Sequence, residues 1–107
     1  MANNGVFYVA DGYCESRVLK FDASGHFLKE FPLRAPFAAV PHSLVLDECR
    51  HLIYVADREN ALVRVLDAET GSEQYSIDLG ARGYGPVYSL ARDEVGTIYA
   101  LCWADSR

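Results

Sequence analysis

The chain has 107 residues, 50% hydrophobic and 23% charged, with a formal net charge of −5 from 15 acidic and 10 basic side chains. With a mean hydropathy of −0.02, this is ordinary globular composition and excludes bulk disorder. The basic residues are scattered without a cluster, which argues against nucleic acid as a partner, and no apolar run approaches the roughly 18 residues of a membrane helix.

Met1 to Gly5 has neither a basic region nor an apolar core, so no signal peptide is visible and any targeting segment is expected outside this sequence. Val6 to Ala10 is an apolar, β-branched and aromatic run that predicts a strand, followed by the turn-prone pair Asp11-Gly12. Arg17 to Asp22 predicts the next strand, ended by Ala23-Ser24-Gly25, and His26 to Phe31 the third. After a proline-containing connection through Pro36 and Pro41, Ser43 to Leu46 predicts a strand that runs into a turn over Asp47 to Arg50. Leu52 to Ala56, Leu62 to Leu66 and Glu73 to Ile77 repeat the pattern. No segment has the capped amphipathic periodicity of a helix.

The order of these strands is itself periodic. Tyr8-Val9-Ala10-Asp11 recurs as Tyr54-Val55-Ala56-Asp57, an interval of 46 residues, and Tyr99-Ala100-Leu101 opens a looser third copy 45 residues further on. Ser43-Leu44 matches Ser89-Leu90 and Asp47-Glu48 matches Asp93-Glu94, again 46 apart. Four short strands at this period are the signature of a propeller blade. The predicted fold is therefore all-β: a β-propeller with four antiparallel strands per blade and units at about 5–46, 51–92 and the start of a third at 96–107. Propellers close with about 4–8 blades, so a piece of a larger propeller is expected, about two and a third blades of it.

Three cysteines, Cys14, Cys49 and Cys102, include no Cys-x-x-Cys pair, which removes zinc-knuckle and thioredoxin readings. An odd number leaves at least one thiol free or paired outside the chain; three buried thiols acting as small hydrophobes is the alternative. Gly80, Gly83 and Gly85 lack the spacing and the following helix of a phosphate loop.

Three short motifs carry a resemblance. Val9-Ala10-Asp11-Gly12-Tyr13-Cys14-Glu15-Ser16-Arg17-Val18 resembles the Asp-Gly-Tyr-Cys-Asn-Ser-Arg segment of the peptidyl-α-hydroxyglycine α-amidating lyases, an NHL-repeat propeller family. Val40-Pro41-His42-Ser43-Leu44 resembles their Val-Pro-His-Ser-Leu segment, and Val55-Ala56-Asp57-Arg58-Glu59-Asn60 their Val-Ala-Asp-Arg-Glu-Asn segment. The resemblance implies a six-bladed NHL-type propeller that cleaves peptidyl-α-hydroxyglycine to the peptide amide and glyoxylate. It further implies one zinc held by three histidines, a structural calcium, and a secreted or secretory-lumen protein, in some relatives preceded by a monooxygenase domain. On that pattern His42 is a zinc ligand, Tyr13 the catalytic tyrosine, Arg58 an active-site arginine, and Cys14 a disulfide cysteine whose partner lies outside the chain. The other two histidines have no counterpart here, and Tyr88 stands where a repeat of His42 would fall. The chain alone is therefore expected to be inactive.

These residue types suit the chemistry. Zinc is a Lewis acid toward oxygen and keeps an open position when three protein ligands hold it. A phenol is a poor base at neutral pH unless adjacent cations favour its phenolate, and a guanidinium offers a planar fork to a carboxylate. By chemistry alone, a histidine such as His42 in a strand-edge turn is usually a surface or capping residue, a turn aromatic such as Tyr13 usually packs on a neighbour, and Arg58 could be a solvated cation or a partner of Glu59. Asp11 and Asp57 are expected to bond their own turn backbones. A non-catalytic NHL-repeat interaction module is the competing function, and a truncated product without its own activity a third. The Tyr13-Cys14 and Pro41-His42 pairs favour the lyase, because an interaction repeat needs neither.

Overall fold

Apolar residues on consecutive positions, as in Ile53-Tyr54-Val55-Ala56, demand burial on both faces of a strand. The computed structural model, which describes residues 5–11, 17–33, 41–58 and 60–102, meets that demand by stacking three sheets. The first is β1 (Phe7–Asp11), β2 (Arg17–Phe21) and β3 (Phe27–Pro32), in that order. The second is β4 (Pro41–Asp47), β5 (Leu52–Asp57), β6 (Leu62–Asp67) and β7 (Glu73–Asp78), and the third is β8 (Val87–Arg92) with β9 (Ile98–Cys102). Every pairing is antiparallel between neighbours in sequence. Among the described residues no helix is long and apolar enough to cross a membrane.

The middle sheet divides its side chains by parity. Ile53, Val55 and Leu66 turn toward the first sheet and pack with Val18, Phe31, Leu33 and Ala68. Tyr54, Ala56, Val63 and Val65 turn the other way and pack with Val87 and Leu90. Each fully buried aliphatic side chain of these two layers contributes about 1.5–3 kcal/mol relative to exposure. Two interfaces of this kind make a radial stack, the architecture of propeller blades.

Sheet boundaries do not coincide with the repeat read from sequence. The strand over Ser43 to Leu46, grouped with the first unit, opens the second sheet, and its counterpart in the second unit, β8, opens the third. A repeat defines a period but not a phase. The phase comes from loop length: the short turn between Asp47 and Leu52 folds β4 onto β5 as a hairpin, whereas a longer connection separates β4 from β3.

Strand ends shifted for an identifiable reason. His26, predicted within a strand, has its backbone N–H 2.9 Å from Asp22 Oδ1, and Ser24 N–H donates to the same oxygen, so β2 stops at Phe21 and β3 starts at Phe27. Asp67 (to Glu69 and Thr70) and Asp93 (to Val95 and Thr97) build equivalent turns. These backbone donors hold all three carboxylates below their usual pKa range. A depressed folded-state pKa stabilises above the unfolded value, and the contribution is lost as pH falls through the folded one. Converting all three aspartates to asparagine is therefore expected to make the fall in Tm below about pH 4 shallower, read from melts across pH 2–6.

Gly71 shows how closely the sheets approach. It has φ of +76°, and a Cβ built there would collide with the ring of Phe31 in the first sheet. Gly71→Ala is expected to cost about 1–3 kcal/mol by strain and overpacking, measured as a lower urea midpoint.

Candidate functional site

Strand ends, and irregularities in their pairing, place the candidate residues. In β4, Pro41 pairs with Asp57 but Ser43 pairs with Ala56, so His42 is the extra residue of a β-bulge. In β8, Val87 pairs with Cys102 but Ser89 with Leu101, which makes Tyr88 the extra residue of an equivalent bulge. A bulge bends its strand and re-aims one side chain, and bulges concentrate beside functional sites.

His42 is exposed and reaches across to the next sheet. Its Nδ1 lies 2.8 Å from the Tyr88 carbonyl oxygen. A carbonyl can only accept, so Nδ1 carries the hydrogen, and the tautomer this selects for the neutral form of the ring has its lone pair at Nε2. The two rings meet edge to face, with centroids 5.8 Å apart at 88°. Beside this contact Leu90 N–H donates to Ser43 Oγ at 3.2 Å, a second bond from the start of β4 to β8.

Arg58 arrives at the same place from the far end of β5. Asp57 pairs with Pro41, so the turn beginning at Arg58 stands next to the His42 bulge. Ala61 N–H donates to the Arg58 carbonyl at 3.2 Å, and Ala61 takes φ of 52° to close that turn. The Arg58 guanidinium carbon lies 5.8 Å from the Tyr88 ring centroid, within cation–π range. His42 and Arg58 thus meet on one aromatic ring.

Asp57, expected to bond its own turn backbone, is seen bonding side chains of the turn and of β6. Its carboxylate is fully buried and accepts from Arg64 Nε at 2.8 Å and from Asn60 Nδ2 at 2.9 Å. Arg64, itself 3% exposed, also donates from Nη1 to Glu73 at 2.9 Å. Burial alone would lower the Arg64 pKa, but the bonds to Glu73 and Asp57 outweigh it and raise it. This network braces the turn that carries Arg58 against β6 and β7.

Tyr13, Cys14 and Glu59 lie outside the described residues; of the expected site residues, His42 and Arg58 each lie against the Tyr88 ring. Cys49 and Cys102 are free thiols. Among the described residues no three histidine, cysteine, aspartate or glutamate side chains gather closely enough to hold a metal ion. A cleft of 310 Å³ lined by Pro32, Leu33, Leu66, Gly71, Ser72 and Glu73 includes neither His42 nor Arg58. Sequence reasoning marked Tyr88 only as the repeat of His42 and passed over Arg64; an arginine inside an otherwise aliphatic strand, Leu62-Val63-Arg64-Val65-Leu66, was the available signal.

Comparison with known proteins bears on this geometry. Residues 39–66 match the NHL repeat. Over 104 residues the chain is 35% identical to peptidyl-alpha-hydroxyglycine alpha-amidating lyase 2 of Drosophila melanogaster, covering 94% of this chain and 24% of that protein. Over 106 residues it is 35% identical to the probable peptidyl-alpha-hydroxyglycine alpha-amidating lyase pgal-1 of Caenorhabditis elegans, covering 94% and 29%. It is 33% identical over 105 residues to peptidyl-glycine alpha-amidating monooxygenase A of Xenopus laevis, covering 91% and 11%. The chain spans about a quarter of the length of the first two relatives. In shape it is similar to the β-propeller domain of Swd1 from Myceliophteria thermophila, with a TM-score of 0.59 at 14% identity over 88% of this chain and 35% of that one, a likeness of fold alone.

Proposed function

We propose that this chain, 35% identical along nearly its whole length to proteins named as peptidyl-α-hydroxyglycine α-amidating lyases, supplies part of the active site of such a lyase. The reaction converts a peptidyl-α-hydroxyglycine to the peptide amide and glyoxylate. The observation that carries the reading is the His42–Tyr88 hydrogen bond of 2.8 Å, which commits Nδ1 as donor and leaves Nε2 of an exposed ring as the nitrogen open to a metal. Histidines that ligate metals are oriented in this way by a carbonyl or carboxylate on the other nitrogen. His42 therefore fits a zinc ion, completed by histidines from other blades.

Zinc, when bound, supplies Lewis-acid stabilisation of the substrate oxygen. Arg58 stays protonated and binds the carboxylate of the hydroxyglycine end through its planar fork. In this reading Tyr13 would take the hydroxyl proton, a role for which a phenol needs cations to favour its phenolate. As that proton leaves, the carbon becomes the aldehyde of glyoxylate, and the C–N electron pair departs with the nitrogen, which takes up a proton to become the amide. A structural calcium, a secretory-lumen location, a Cys14 disulfide and, in a longer protein, an attached monooxygenase domain belong to the same reading. Relatives named as monooxygenases support the last of these.

The test is glyoxylate release from a synthetic peptidyl-α-hydroxyglycine by the full-length protein containing this segment. Turnover that a chelator abolishes and zinc restores is the expected result; no glyoxylate above the uncatalysed rate would leave the interaction-module reading standing instead.

A further inference from the structure

In the reading above Tyr88 contributes only its backbone carbonyl, yet its side chain is the one on which His42 and Arg58 meet. It occupies the bulge of β8 that corresponds to the His42 bulge of β4, 46 residues earlier. Its carbonyl accepts from His42 Nδ1, its ring meets the His42 ring edge to face, and the Arg58 guanidinium lies 5.8 Å from its centroid. We propose that Tyr88 is a positioning residue of the lyase site: its ring directs the Arg58 guanidinium and confines the His42 imidazole to the pose that turns Nε2 away from β8. The inference rests on the lyase reading for its chemistry, while the placement rests on the fold.

The physical case is one of preorganisation. An arginine at a turn has many rotamers, and ordering it costs free energy when it must meet a carboxylate. The ring face attracts the cationic charge as a whole, so the contact orients the guanidinium without using up a particular N–H donor. The imidazole gains a second constraint beside its hydrogen bond, because an edge-to-face partner limits rotation about χ2. Equivalent bulges in successive sheets thus do different work, one offering a lone pair and the next a ring that aims its neighbours.

Three substitutions in the full-length protein test this. Tyr88→Phe keeps the ring and is expected to retain the wild-type KM within about twofold, whereas Tyr88→Leu raises KM about two- to fivefold with a smaller change in kcat. Fluorinated phenylalanines at position 88 keep the shape while withdrawing charge from the ring face, so they report even where leucine fails to fold. KM is expected to climb with fluorine number. A flat series, or Tyr88→Phe as impaired as Tyr88→Leu, overturns the proposal. A wild-type protein without lyase turnover sinks the lyase reading, and Tyr88 is then judged by the Arg58 Nε–H resonance alone. An upfield ring-current shift that vanishes in Tyr88→Leu supports the placement, and an unshifted resonance refutes it.

Discussion

On the proposed lyase reading, with His42 as a zinc ligand, His42→Ala in the full-length protein is expected to lower kcat for peptidyl-α-hydroxyglycine by on the order of a hundredfold or more. Loss of an outer partner to a metal ligand typically costs about 10–100-fold, and loss of the ligand itself should exceed that. Folding should be little affected, because the His42 side chain is exposed and bonds a carbonyl at the strand end. Zinc content, measured by metal analysis of the purified variant, should fall together with turnover. The matched control is Ser43→Ala. It removes the adjacent bond from Leu90 N–H to Ser43 Oγ but no ligand, so it should cost about 1 kcal/mol of stability while retaining zinc. Equal loss of turnover in both variants would mean that His42 acts through the β4–β8 junction and not through a metal.

The second large effect concerns stability. Asp57 is fully buried and Arg64 is 3% exposed, with Nε and carboxylate 2.8 Å apart. Removing one partner of a buried pair strands the other charge, so Asp57→Ala is expected to cost about 3–5 kcal/mol. Because domains are stable by only about 5–15 kcal/mol, a shift of that size should move the urea midpoint far below that of the unmodified protein. The partial exposure of Glu73 and its bond to Arg64 Nη1 soften the loss without cancelling it. The double replacement Asp57→Leu with Arg64→Met removes both charges and is expected to recover much of the stability. It should not recover activity, since the turn bearing Arg58 loses its brace. Recovery of both would separate Arg58 from this network.

Much of this architecture was legible in the residues. The 46-residue interval, the Tyr-Val-Ala-Asp copies and the turn chemistry locate seven of the nine described strands, β1 to β7, within one or two positions. Asp22 and His26 were misjudged at the ends because an Asx turn uses a side chain to satisfy backbone donors, and strand propensity is blind to that bond. His42 and Arg58 stood out through their motifs. Tyr88 and Arg64 did not, because each matters through a neighbour 46 or 7 residues away and neither pattern is local.

Residue order was therefore enough for the all-β class, the period and the kinship with the amidating lyases, and it singled out His42 and Arg58. Folding alone decided which strand opens each sheet, that His42 and Tyr88 are bulged residues, and that Arg58 and His42 share one aromatic neighbour. The division has a physical cause: strand propensity and turn chemistry act over a few bonds, whereas phase, bulge and ring contact depend on which backbone a strand finds beside it once the sheets have stacked.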